Sequence, residues 1–398
     1  MSQIAIIGRS PSLSLAELES IFGPSKLKIA GNQAVLLSLD AKEIIHNKIG
    51  GTQKVGSVLE TLSFSDWSRV RKHLNSQVIN YTKALPGSKV KLGISVYDFN
   101  VKPAEINATS LNLKKVLKSK GFSCRIIANK YAELNSAQVI HGGLLTDSGT
   151  ELLIVRDGAN TIIAKTNSVQ DIDAYAARDH GRPMRDAKIG MLPPKLAQII
   201  INLAIGQSDT KSVDNPTLLL DPFCGTGVVL QEALIMGLDC FGSDLEPRMV
   251  EYTNKNIEWL RSKNILDDPT VSFNSKVADA TSANWQPKPS LVACETYLGR
   301  PLSSQPSAEV LNKIIQDCNT IHKKFLQNIA RQTEKGFRMC VAVPAWYTKN
   351  GFKHLPILDS LDDLGYNRIS FVHAHDSGLI YHRKDQIVAR ELVVLIKK

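Results

Sequence analysis

The six cysteines form no CxxC pair, and no histidine cluster falls at metal-ligand spacing. Cys124, Cys224, Cys240, Cys294, Cys318 and Cys340 sit mostly inside apolar, strand-like runs. That placement favours buried thiols in a reducing compartment over disulfides or zinc, and no metal site is expected. The opening MSQIAIIGRSPSLSL has no basic stretch before its short apolar run, so it does not read as a secretory signal. No apolar run approaches membrane-spanning length. No low-complexity tract points to disorder. These absences predict a soluble, cytoplasmic protein.

What is present is a chain of 398 residues, 43% hydrophobic, long enough for two or three domains with normal cores. Lysine and arginine outnumber aspartate and glutamate by 48 to 38, a formal net charge of +10. Such an excess favours a polyanionic partner, RNA or DNA. Acidic residues are missing altogether from 106 to 130, where Lys114, Lys115, Lys118, Lys120, Arg125 and Lys130 fall. Lys114 and Lys118 are four apart and share a helix face. The run is either a solvated helix face or a patch that tracks phosphates.

Residues 1–80 read as a small α+β unit. Its helix is expected from an N-cap at Ser14, with Glu17 closing a capping box and Gly23 as the stop, and a second helix is expected over 41–49. Residues 81–165 form a second α+β unit, with a strand over 89–97 and a helix over 105–120. A polar connector, 166–190, follows. From about Met191 strands and helices alternate, with a helix behind Pro194 and closing strands at 378–382 and 387–396. This alternation predicts an α/β domain, 191–398, whose mostly parallel sheet ends in an antiparallel hairpin edge.

The most informative stretch is LLLDPFCGTGVVLQEAL, 218–234: buried strand, acid, short glycine loop, helix. Gly225 and Gly227 let a ligand approach the backbone, and the helix start supplies oriented N–H groups. Dinucleotide sites share that design. Asp221 discriminates, because a carboxylate at the loop mouth repels a pyrophosphate but pairs with an ammonium group. An amino-acid-bearing cofactor, S-adenosylmethionine, fits. Asp244 ends the next strand, where a carboxylate can take both ribose hydroxyls. Asp279 follows the third strand and either accepts from an adenine amino group or caps a turn. Pro222, Leu245 and Ala280 lie beside these acids and complete the expected cofactor contacts. Cys224 lies in the loop with no histidine in sequence reach, so it is read as packing there and not as a nucleophile.

DPFCGTG, followed by GSDLEPRMVEYTNKNI and preceded by MLPPKLAQIIINLA, resembles the catalytic domain of the THUMP-containing tRNA guanosine-N2 methyltransferases. IGRSPSLSLAELESIFG resembles their amino-terminal segment, 88–165 their THUMP module, and YHRKDQIVARELVVLIKK their closing hairpin. The resemblance implies a ferredoxin-like region over 1–80, a THUMP-like RNA-binding domain over 81–165, and a Rossmann-like, seven-stranded methyltransferase domain. It implies tRNA as partner and leaves room for a small activating subunit. The family carries Asp-Pro-Pro-Tyr and then Gly after its fourth strand. Here Glu295, Thr296, Tyr297 and Leu298 precede Gly299, so the carboxylate is one methylene longer and both prolines are gone.

The chemistry shows what that loop must do. The guanine N2 amine donates its lone pair into the ring and is a poor nucleophile. A carboxylate and a backbone carbonyl that accept its two hydrogens localise the lone pair and hold it in line. An aromatic ring stacks on the flipped base. Glu295, with Thr296 and Tyr297, is the expected catalytic loop, and Tyr297, Trp346 or Tyr347 the expected ring. Two alternatives stay open: a catalytically silent RNA-binding relative, or the same chemistry on another exocyclic amine in RNA or DNA.

Overall fold

A computed structural model of the chain describes residues 2–82, 89–186, 192–207, 217–302 and 304–398. Met191, the expected start of the third domain, lies outside the described residues. The chain divides into two compact units. The first holds Met1–Pro11, Ser25–Asn47 and Thr52–Ala174, and the second Ser12–Pro24, Lys48–Gly51 and Tyr175–Lys398.

In the first unit β1 (Gln3–Ile7), β2 (Leu27–Ala30), β3 (Ala34–Leu37), β4 (Thr52–Leu62), β5 (Lys89–Tyr97), β6 (Ser123–Ile126), β7 (Gly149–Asp157) and β8 (Asn160–Val169) form one sheet. Its order is β2-β3-β1-β4-β8-β7-β5-β6, so residues 1–80 and 81–165 contribute strands to the same sheet. Between α1 (Pro11–Phe22) and α4 (Ser136–His141) in sequence stand α2 (Trp67–Thr82) and α3 (Pro103–Ser119). α2 and α3 bury Leu74, Val78, Ile106, Leu113 and Leu117 in a core shared with Leu92, Ile94, Leu152 and Ile154.

The expected helix over 41–49 is instead two single 3₁₀ turns, Ala41–Glu43 and His46–Lys48. Asp40 and Glu43 cap the first turn reciprocally, and Ile44 then leaves in an extended conformation, which ends it. The capping-box reading of Ser14 and Glu17 is also corrected. α1 begins at Pro11, whose fixed φ suits a first helical turn, so both residues lie inside the helix. Ser14 donates to the Gly51 carbonyl (2.8 Å), and the Glu17 carboxylate accepts the Gly50 and Gly51 N–H groups (2.9 and 2.7 Å). Gly23 does stop the helix, at φ +84, donating to Glu19 (2.8 Å).

α1 belongs to the second unit, and its bonds show why. Asn202 donates to Glu17 (2.7 Å), Arg338 to the Ser20 hydroxyl (3.0 Å), and the Val372 and His373 N–H groups to Glu19 (2.7 and 2.8 Å). The stretch read as a connector contains a helix, α5 (Ile172–His180), started by the Asp171 side chain, which accepts the Ala174 N–H (2.9 Å). Its Arg178 is buried on Glu232 (2.7 Å).

Beyond it come α6 (Pro194–Ile205), β9 (Leu218–Asp221), α7 (Val228–Ile235), β10 (Asp239–Asp244), α8 (Pro247–Ser262), β11 (Phe273–Val277), β12 (Leu291–Glu295), α9 (Ala308–Gln332), β13 (Arg338–Thr348), β14 (Gly351–Lys353), β15 (Tyr366–Arg368), β16 (Ile380–Tyr381) and β17 (Val388–Lys397). Seven of these strands run in the order β11-β10-β9-β12-β13-β17-β15, with β14 and β16 paired alongside β13 and β17. The first five are parallel, β17 runs antiparallel to them, and β15, antiparallel to β17, returns to their direction. This is the expected Rossmann-like α/β sheet, closed on its antiparallel side by β15 as well as by the β16–β17 pair. Because β9 pairs with both β10 and β12, the strand order reverses between β9 and β12. The carboxyl ends at such a reversal leave a crevice for a ligand.

Candidate active site

Asp221, Asp244 and Glu295 end β9, β10 and β12 on that edge of the sheet. Asp221 is buried and accepts only the Phe223 N–H (3.1 Å) among the described residues. Burial raises its pKa well above the usual carboxylate value. The Phe223 N–H opposes the rise, and Asp244 and Glu295 add to it by repulsion. Asp244 accepts Gly225 N–H (2.9 Å) and Glu246 N–H (3.0 Å), and burial raises it as well against these bonds. Three carboxylates therefore converge on the crevice, and Asp221 pairs with no cation among the described residues.

The glycine loop has the backbone its sequence demands. Gly225 and Gly227 sit at φ +52 and +81, where side chains are strained. A Cβ on Gly227 would lie 2.9 Å from Thr253 Cγ2, so that glycine serves close packing on α8. One on Gly225 would meet nothing nearer than the Phe223 carbonyl at 4.0 Å. That side of the loop is open to a ligand. Thr253 donates to the Gly225 carbonyl (2.9 Å), and Pro222 O accepts from Ser243 (3.5 Å). Cys224 is buried, and burial, then Asp221 and Asp244, push its thiol far up, so it stays protonated. Leu245, 64% exposed, lies beside Asp244 as an apolar surface. Asp279 accepts the Thr281 N–H and hydroxyl (both 2.8 Å), a turn-forming arrangement, while Ala280 is buried behind it.

The loop after β12 differs most from expectation. Arg390 of β17 donates through Nε to Glu295 Oε1 (2.6 Å), so the carboxylate is half of an ion pair. Its Oε2 has no partner among the described residues. Thr296 faces inward: its N–H donates to Ala342 O (3.0 Å), and its hydroxyl lies 2.6 Å from His322 Nε2. His322 Nδ1 is 2.6 Å from the Cys318 carbonyl and must donate to it, so Nε2 carries the lone pair and accepts from Thr296. A buried threonine of this kind supports the loop and does not itself face a substrate.

Of the three candidate rings, Trp346 is fully buried and is excluded as a stacking platform. Tyr297 is 41% and Tyr347 50% exposed. Tyr347 stacks on His382 (5.0 Å between centroids), and Phe352 meets both edge-on or tilted (5.2 and 5.4 Å). Arg390, His322 and His382 escaped the sequence reading because each acts through a contact distant in sequence. The only local signal was the charged pair Arg390 and Glu391 at the start of a largely apolar strand.

In the first unit, Lys115, Lys118, Lys120, Arg125 and Lys130 are exposed and Lys114 half-buried. Lys114, Lys115 and Lys118 line a shallow groove of about 380 Å³ with Ala108, Leu111 and Asn112. Arg125 on β6 pairs in register with Lys91 on β5, and because Cys124, Val90 and Leu92 face α3, these two cations lie on the opposite face of the sheet. No helix among the described residues is long and apolar enough to cross a membrane.

No family model matches the sequence. A tRNA (guanine(10)-N2)-dimethyltransferase of Methanothermobacter thermautotrophicus is 31% identical over 168 residues, 42% of this chain and 42% of that protein. Another, of Pyrococcus abyssi, is 27% identical over 157 residues, 39% of each chain. The matched stretches thus span about two fifths of these curated relatives. Among solved structures, TrmN from Thermus thermophilus covers 100% of this chain and 99% of its own, with a TM-score of 0.53 and 13% identity. That likeness concerns the fold. The chain is accordingly similar to the tRNA (guanine(10)-N2)-dimethyltransferases over about two fifths of its length, and its fold is like that of TrmN.

Proposed function

We propose that this protein transfers a methyl group from S-adenosylmethionine to the exocyclic N2 amine of a guanosine in tRNA. The observation that carries the proposal is the convergence of Asp221, Asp244 and Glu295 at one sheet edge, beside a glycine loop open on its Gly225 side. A buried Asp221 that pairs with no cation among the described residues suits a ligand bearing an ammonium group, and when bound that cofactor supplies an electrophilic methyl. Asp221 would hold the ammonium and Asp244 the ribose hydroxyls. Pro222, Cys224, Gly225, Gly227, Leu245, Asp279 and Ala280 would form the surrounding walls. Glu295 Oε2 accepts a hydrogen from the guanine amine, which localises the amine lone pair for attack. Tyr297 or Tyr347 supplies the ring for the base.

Residues 1–80 are proposed as the ferredoxin-like region and 81–165 as the THUMP-like module, with Lys114, Lys115, Lys118, Lys120, Arg125 and Lys130 contacting tRNA phosphates. Residues 191–398 are proposed as the methyltransferase domain, and the connector 166–190 leads into it, its α5 from Tyr175 onward and most of α1 belonging to the same unit. Calorimetry with S-adenosylmethionine is expected to show one site per chain. Mass spectrometry of nucleosides from incubated tRNA is expected to show new N2-methylguanosine, and Glu295→Ala to lower its formation at least ~100-fold. Cofactor binding without transfer to any nucleoside would instead establish the silent RNA-binding relative.

A further inference from the structure

The carboxylate that ends β12 is held from two strands away. Glu295 lies opposite Ala342 on β13, and Arg390 on β17 lies opposite Pro344 of that same strand. The guanidinium therefore crosses the intervening strand to reach Glu295 Oε1 at 2.6 Å, with side chains only 5% and 17% exposed. Its Nη1 donates to Gln386 Oε1 (3.2 Å), in the turn before β17, which fixes the guanidinium plane from the other side. The adjacent acid on β17 does not compete for it. Glu391 is taken by Arg368 (3.0 Å) and by His354. Neighbouring residues on a strand face opposite ways, so the two ion-paired groups lie on opposite faces of the sheet.

The chemistry of the acceptor makes this contact more than packing. A glutamate has one more rotatable bond than an aspartate, and a carboxylate that swings cannot hold an amine in line for attack. Here one oxygen is pinned by a charge-assisted bond and the other is left to accept. We infer that Arg390 is a positioning residue for the methyl-transfer step, orienting Glu295 so that Oε2 faces the substrate amine. The inference rests on the function proposed above.

The test is a mutant cycle on the full chain with tRNA and S-adenosylmethionine. Arg390→Met is expected to lower kcat by about 100-fold, the order expected for a misplaced reacting group, with KM for tRNA changed less than about threefold. Arg390→Lys, which restores a charged donor without the fork, is expected to recover part of the loss. In a Glu295→Ala background, Arg390→Met is expected to add almost nothing. Cofactor affinity by calorimetry should stay within about twofold in every soluble variant, and Arg390→Gln serves where Arg390→Met does not fold. The inference fails alone if wild-type protein methylates tRNA while Arg390→Met keeps kcat within about threefold, or if the two losses simply multiply. Absence of transfer by wild-type protein overturns the proposed function and this inference with it.

Discussion

His322 and Glu17 are both buried in the second unit, and they titrate in opposite senses across the same pH range. Burial lowers the His322 pKa to about 4 against the opposing bond to Cys318 O. Burial raises that of Glu17 to about 7, opposed by the donors Asn202, Gly51 and Gly50. Between pH 4 and 6.5 the unfolded chain holds more protons on His322 than the folded one, so acidification costs stability there. Between 4.5 and 7 the folded chain holds more protons on Glu17, so acidification adds stability. Each contributes about 2 kcal/mol between about pH 7 and 5, and they nearly cancel. Relative to the wild type measured by denaturant unfolding, Glu17→Gln should lose about 2 kcal/mol on the same acidification, and His322→Gln should gain about as much. Matching slopes in the two variants would show the assignment to be wrong.

Asp221 behaves like Glu17 but lies in the crevice, so its raised pKa is coupled to ligand binding. An ammonium ligand favours its ionised form, and binding must release protons. Affinity for S-adenosylmethionine is expected to rise with pH until Asp221 is ionised without help. Calorimetry in buffers of different ionisation enthalpy measures the released proton. Asp221→Asn should flatten that dependence and weaken binding. It should also raise the melting temperature of the ligand-free protein at alkaline pH, because the cost of a buried charge is gone.

Among the elements, the glycine loop separates stability from binding. Gly227→Ala combines a left-handed backbone with a Cβ 2.9 Å from Thr253, and is expected to cost about 1–3 kcal/mol. Gly225→Ala meets open space, so its cost in folding should be smaller and its effect should fall on cofactor affinity. Equal losses of stability in the two variants would remove the distinction. This loop was legible in sequence because all its determinants lie within the dozen residues around it: an apolar strand, an acid, two glycines and an amphipathic helix. β15, Tyr366–Arg368, was not legible. Three residues carry no periodicity, and they form a strand because β17 offers an edge. The Ser14–Glu17 pattern misled for a different reason. The same hydrogen-bonding side chains that can cap their own helix are here committed to Gly50 and Gly51, a partner no local rule can anticipate.

For the molecule as a whole, the net charge of +10 bears on the partner it attracts. The helix α3 lysines and the β6 arginine present cations from consecutive elements of one unit. If they track phosphates, affinity for tRNA should fall linearly in log–log plots against salt. Replacing Lys114, Lys115 and Lys118 together by alanine should reduce that slope by roughly one for each phosphate left without its cation. An unchanged slope would return these lysines to a solvated helix face. The α/β class and the order of the carboxyl-end acids were readable from alternation alone. The acceptor loop's ion pair was not, because Glu295 and Arg390 stand 95 residues apart.

The position of α1 has a consequence for how the chain is made. It leaves the ribosome well before its partners, because the groups that satisfy Glu17, Glu19 and Ser20 include Asn202, Arg338, Val372 and His373. Synthesis proceeds from the amino terminus at about 5–20 residues per second. The helix, with buried Leu13 and Leu18, therefore waits for some tens of seconds before its last partners exist. During that interval its apolar face has no folded partner to cover it. The second unit cannot close until residues 372 and 373 exist, so nascent chains stalled before residue 372 leave the Glu19 carboxylate without its backbone donors.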